Sequence, residues 1–290
     1  MKMESSELFI EKMENTNYLK AENKQSGRLE ALYLKSKGIY VGIPILAIIF
    51  AEALILLGRA DVALWIHIAT LVGLFLATTF TERKELFITC QALMLLPLLR
   101  LLNLSMPIFF DFTLYALIFI YATMAIPVVM VIIYQGLTYD EIGATFRRIW
   151  LYFPLSVLMG YGLATGEYYI IWTESLIPTP SLPDLLIITV VMVLFVGLVE
   201  EIIFRSILQT RLNKLIGIRE GILLSAILYG FMHSGYGDYY LILYTSFIGV
   251  IIGYIFYKTQ SLPLIVLIHG FVNVFLFGIF PYLGPGLGLL

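Results

Sequence analysis

Charge and cysteine are what this sequence has least of. Only 13% of its 290 residues are Asp, Glu, Lys or Arg, and 60% are hydrophobic; a soluble chain carries about 25% charge. That shortage excludes an ordinary water-facing surface. The formal net charge is −2 and no basic stripe is present, so nucleic acid is excluded as a partner. The one cysteine, Cys90, lies in an apolar segment, so there is no disulfide framework and no cysteine-based metal cluster; it reads as a small buried hydrophobe. The first 38 residues hold no apolar h-region, so no cleavable signal peptide is expected. A Met-Gly start and a CaaX terminus are missing, so lipidation is not implied. Neither G-x-S-x-G nor H-E-x-x-H occurs.

What fills the chain instead is apolar stretches of membrane length, at 39–57, 62–80, 86–104, 109–134, 151–171, 184–211, 220–233, 239–257 and 261–280. The seventh is short, about 14 residues, and reads as a tilted or partly re-entrant helix. The fold class is therefore all-α, a polytopic membrane helix bundle of eight to nine transmembrane helices. The domain plan is a polar, amphipathic N-terminal segment, 1–38, followed by one membrane domain, 39–290. Within it, 39–171 are front helices and 184–280 the core. Residues 1–37 mix seven Lys/Arg with six Glu, which suggests an unstructured start and a short interfacial helix.

With the N-terminus in the cytoplasm and nine spans, fifteen of the eighteen Lys/Arg fall on the inner side and only Arg59 on the outer. This positive-inside bias predicts a multi-pass protein of the cell membrane with its C-terminus outside. In the loop 135–150, Thr138 followed by Glu141 is a capping-box signature, and Leu137, Ile142, Phe146, Ile149 and Trp150 suggest a short interfacial helix.

Ionisable residues inside apolar stretches carry most of the functional signal, because a charge buried in lipid must be paired or put to use. In the front half these are Glu52, His67 and Arg100, with no motif around them. In the core, V-E-E-I-I-F-R at Val199–Arg205 interrupts a run that has no wet face. At 100° per residue, Glu201 and Arg205 lie about 40° apart, the favourable order for an i,i+4 pair. Glu200 lies about 140° from Arg205. Glu201–Arg205 thus reads as a structural pair and Glu200 as the carboxylate turned to a cavity. Two further apolar segments carry Tyr229 with His233, and His269 with Asn273, each pair four residues apart; Gly230, Gly235 and Gly270 leave room for a close neighbour.

One carboxylate, two imidazoles and a carboxamide suffice for hydrolysis without a covalent intermediate. Glu200 and His233 would share a water and make it nucleophilic. His269 and Asn273 would donate to the oxyanion formed at a carbonyl. The same residues leave a metal open: Glu200, His233 and His269 could ligate Zn2+ with water at the free position, and Glu201 and Arg205 would support the ligands in either case.

These motifs resemble the CPBP family of intramembrane proteases, named for CaaX proteases and bacteriocin processing and also called Abi, and within it the type II CaaX prenyl endopeptidases (Rce1-like). E-E-x-x-x-R stands at Glu200–Arg205, Y-x-x-x-H at Tyr229–His233 where the family has F-x-x-x-H, and H-x-x-x-N at His269–Asn273. Tyr229 adds a hydroxyl that needs a partner. The resemblance implies an intramembrane endopeptidase with a cavity open to the cytoplasm and to lipid, in which Glu200 and His233 activate water and His269 with Asn273 forms the oxyanion site. Members have been described as metalloproteases; the Rce1-like ones imply glutamate dependence without a required metal. Implied partners are the lipid bilayer and a membrane-associated peptide or protein substrate, prenylated or a leader peptide. Two other functions use the same buried groups: a non-catalytic membrane scaffold and a proton-coupled transporter.

Overall fold

The computed structural model describes residues 37–109 and 113–288. The expected N-terminal interfacial helix lies outside the described residues. The chain divides into two compact units, Met1–Ile43 and Pro44–Leu290. The described part of the first is a single turn of wide helix, Gly38–Gly42. The second carries the long helices and both halves of the core.

The described residues are helical with no strand. In a bilayer the backbone must satisfy its own hydrogen bonds, and a long apolar run does so as a helix. The helices are α1 (Ile43–Leu56), α2 (Ala60–Phe80), α3 (Lys84–Phe109), α4 (Leu114–Gln135), α5 (Ile149–Tyr168), α6 (Leu182–Ile216), α7 (Ile218–Phe231), α8 (Tyr239–Thr259) and α9 (Leu262–Leu283). Their ends follow local chemistry. Asp238 accepts from the backbone N–H of Tyr240 and Leu241 at 2.6 and 3.2 Å and starts α8. Ser181 accepts from Asp184 at the start of α6, where Pro183 takes a position whose N–H needs no partner. Gly136, at φ +64°, ends α4.

Among the described residues eight helices are long and apolar enough to cross a membrane, so the protein is a multi-pass membrane bundle. The ninth, α7, has 14 residues and a length of about 21 Å, short of a hydrocarbon core of about 30 Å. At the other extreme, α6 runs 35 residues, past the expected end at 211. It keeps Arg211 in the helix, buried, where its Nε donates to Oε1 of Gln135 at 2.9 Å.

The segment between α4 and α5 departs from expectation. The capping-box bonds form: the Thr138 N–H donates to Glu141 Oε2 at 3.0 Å and the Glu141 N–H to Thr138 Oγ1 at 3.3 Å. The Thr138 backbone donor holds the Glu141 carboxyl below the usual carboxylate range. Yet only turns follow, not an interfacial helix. Gly143 takes φ +77°, which breaks the helix, and the peptide is captured by core helices instead. The Leu262 N–H donates to Gly143 O at 2.7 Å, and Ser206 Oγ to Ile142 O at 2.7 Å.

Between helices in lipid the hydrophobic effect is weak, and close approach through small residues takes its place. A Cβ on Gly270 of α9 would lie 2.5 Å from Val193 Cγ2 and 2.9 Å from Val193 Cα on α6. A Cβ on Gly230 of α7 would lie 2.6 Å from Ile242 O of α8. The first crossing brings the motifs of α6 and α9 together, and the second seats α7 against α8. Beneath them, Ile248, Ile252 and Phe256 of α8 pack with Leu264, Ile265 and Ile268 of α9.

Candidate active site

Helix α6 changes its winding around the paired glutamates. Wide, π-type turns occupy Val191–Gly197 and Ile202–Gln209, and the α-helical stretch Leu198–Glu201 lies between them. Such turns re-aim side chains and recur at functional sites. They leave Glu201 and Arg205 on one face, with Arg205 Nη1 donating to Glu201 Oε1 at 3.2 Å. Both are fully buried. The Arg205 guanidinium also lies over the Tyr229 ring, 4.4 Å from its centroid, where the π-face attracts the cation.

Glu201 holds a second group. Its Oε1 lies 2.7 Å from Nδ1 of His269, which leaves Nε2 of that ring 3.8 Å from Oε2 of Glu200. The Glu200 side chain is 12% exposed while that of Glu201 is 0% exposed, so the two neighbours do face different surroundings. Glu200 Oε1 accepts a hydrogen bond from the hydroxyl of Tyr121 on α4. No motif points to Tyr121, one of nineteen tyrosines.

His233 differs from expectation in one respect: α7 stops at Phe231, and the histidine sits in the turn beyond it, before the short helical turn Ser234–Tyr236. Its Nδ1 lies 3.0 Å from the Tyr229 carbonyl oxygen. A carbonyl can only accept, so Nδ1 carries the proton and Nε2 of the neutral ring is a lone-pair acceptor.

That turn is fastened from the front half. Arg100 of α3 donates to Glu52 of α1 through Nε at 2.8 Å and Nη2 at 2.6 Å. The same Nη2 donates to Met232 O at 2.5 Å, and Ser234 Oγ donates to Glu52 Oε2 at 2.6 Å. His67 Nε2 lies 3.3 Å from Glu52 Oε1. The three orphan ionisable residues of the front half thus form one buried cluster, which grips the residues on either side of His233.

Glu200, His233, His269 and Asn273 line one cavity of about 440 Å³, together with Tyr121 and Arg100. Its remaining walls are largely apolar, including Leu117, Met192, Val196 and Phe277. Acceptors and donors thus meet around one space: the Glu200 carboxyl and Nε2 of His233 can accept, and the Asn273 amide can donate. Among the described residues no group of three His, Cys, Asp or Glu side chains is placed to hold a metal ion; the Glu201 bond to Nδ1 of His269 leaves Nε2 of that ring free, an arrangement that serves a hydrogen-bond donor and a metal ligand alike.

Residues 182–275 match the family model for type II CAAX prenyl endopeptidases, Rce1-like. The match covers about a third of the chain, from the start of α6 into α9. It contains Glu200, Glu201, Arg205, Tyr229, His233, His269 and Asn273. No curated protein and no solved structure matches the chain.

Proposed function

We infer that the protein is an intramembrane endopeptidase that uses Glu200 and His233 to activate water and His269 with Asn273 to hold the oxyanion. The observation that carries this reading is the shared cavity of about 440 Å³, into which α6, α9 and the turn after α7 bring all four side chains. A water between Glu200 and Nε2 of His233 gives up a proton to one of them as its oxygen attacks the scissile carbonyl carbon. The carbonyl oxygen becomes an oxyanion and accepts from the Asn273 amide and, with the ring doubly protonated, from Nε2–H of His269. Collapse of the tetrahedral intermediate breaks the C–N bond, and the proton taken from water passes to the leaving amine. Glu201 keeps His269 aimed at the cavity throughout.

The substrate in this reading is a membrane-associated protein, prenylated or carrying an apolar leader. In support, an apolar groove of about 330 Å³ between α4 and α6 shares Tyr121 with the catalytic cavity and is lined by residues such as Val128, Val129, Leu194 and Ile202. It suits a lipid chain or an apolar side-chain run entering from the bilayer. The N-terminus is taken as cytoplasmic, which puts the C-terminus outside if α7 crosses.

Purified protein incubated with a prenylated CaaX-type peptide and with a leader-type peptide tests the reading, with and without a chelator. Cleavage of at least one peptide that persists in the chelator is expected. Intact peptides with retained binding would favour a scaffold, and substrate flux in proteoliposomes without cleavage would favour a transporter.

A further inference from the structure

Glu167 of α5 is a buried carboxyl group that the chemistry above does not use. The residue is 6% exposed, and no hydrogen bond or ion pair among the described residues engages its side chain. Its position is built. The Tyr244 hydroxyl of α8 donates to Leu163 O at 2.8 Å. Gly166 makes room for that ring, since a Cβ there would meet the Tyr244 hydroxyl at 2.1 Å. This clamps the end of α5 against α8 and sets Glu167 on a small void of about 20 Å³, lined also by Tyr229, His233, Thr245, His269 and Asn273.

Three of those residues, His233, His269 and Asn273, line the large cavity as well. They form a partition with Glu200 on the substrate side and Glu167 on the other. A void needs about 10–15 Å³ and two to four polar partners to hold one water, and this one meets both conditions. The Tyr229 hydroxyl has no hydrogen-bond partner among the described residues, whereas the Thr245 hydroxyl already donates to Leu241 O at 2.7 Å. An Asn amide has two N–H donors; when one serves an oxyanion, the other needs an acceptor behind it.

We propose that Glu167 is a positioning residue that, through one buried water shared with Tyr229, fixes the rear of the His233–His269–Asn273 wall. The proposal rests on the hydrolytic reading for its consequence in turnover, but the geometry it asserts is independent of substrate. Glu167→Leu removes the acceptor and occupies the void. Glu167→Gln keeps an acceptor oxygen in the same place.

Histidine ring NMR of 15N-His-labelled protein in micelles reads the geometry without substrate, because the chain has only three histidines. Glu167→Leu should move the ring signals of His233 and His269 and leave that of His67 in place. If Glu167→Leu does not fold, Glu167→Gln carries the test: exchanging a carboxyl group for an amide beside the water still moves those signals. Signals of His233 and His269 unmoved in the folded variant overturn the proposal. In turnover, Glu167→Leu should lower kcat about tenfold to a hundredfold, the worth of a hydrogen bond to a charged group, with KM within about twofold. Glu167→Gln should restore most of kcat. In an Asn273→Ala background, Glu167→Leu should add little, and full additivity overturns the coupling. Failure of the unsubstituted protein to cleave any peptide would sink the hydrolase reading, and the ring signals would then decide the role of Glu167 by themselves.

Discussion

Nδ1 of His269 and Oε1 of Glu201 stand 2.7 Å apart, and that same oxygen accepts from Arg205 at 3.2 Å. One carboxylate oxygen therefore ties the last motif to the first, and the pair inferred from i,i+4 spacing is in fact a triad. Removing one member strands the others in a dry interior. Glu201→Ala should cost about 3–5 kcal/mol of stability, the usual effect of leaving a buried charge without its partner. Unfolding in mixed micelles measures this. Glu201→Leu combined with Arg205→Met should recover much of the loss but none of the cleavage, because His269 would no longer be aimed.

Tyr121 tests the other carboxylate. Its hydroxyl donates to Glu200 from a helix outside the matched domain. Tyr121→Phe removes that bond and nothing else of size. Given about 1.5–3 kcal/mol for a hydrogen bond to a charged group, kcat should fall about tenfold to a hundredfold in protein that remains folded. An unchanged kcat would mean that Glu200 is oriented without it.

What is legible in the sequence depends on the range of each interaction. Helix existence is written in the apolar runs, and the Glu201–Arg205 pair in a local periodicity that survives the wide turns of α6. The partnership of Glu52, His67 and Arg100 is invisible in this way, since Arg100 and Glu52 are 48 positions apart and only tertiary packing joins them. Glu167 is different: it is an acidic residue in the apolar stretch 151–171, and like Glu52 it is legible there as a carboxyl group that burial in lipid must put to use. The loop 135–150 misleads because its apolar spacing is helical while Gly143 and the bonds to Leu262 and Ser206 decide its path.

The buried front-half cluster yields a third expectation. Arg100→Met leaves Glu52 without its cation and frees Met232 O, so the turn carrying His233 loses its anchor. Stability should fall by about 3–5 kcal/mol, and in molecules that remain folded kcat should fall more than KM rises. Glu52→Gln, which keeps acceptor capacity for Ser234 and Arg100, should be the milder change. Steady-state kinetics beside melting curves separate the two effects; equal kcat in Arg100→Met and the unsubstituted protein would show that the turn holds itself.

The decisive measurement is single-turnover cleavage of a prenylated CaaX-type and a leader-type peptide by unsubstituted protein and by Glu200→Gln, each with and without a chelator and each checked for fold by melting temperature. The expected result is cleavage that persists in the chelator and disappears in Glu200→Gln while the melting temperature holds. Full-rate cleavage by folded Glu200→Gln would contradict water activation by this carboxylate, and cleavage lost to the chelator would contradict a metal-free site.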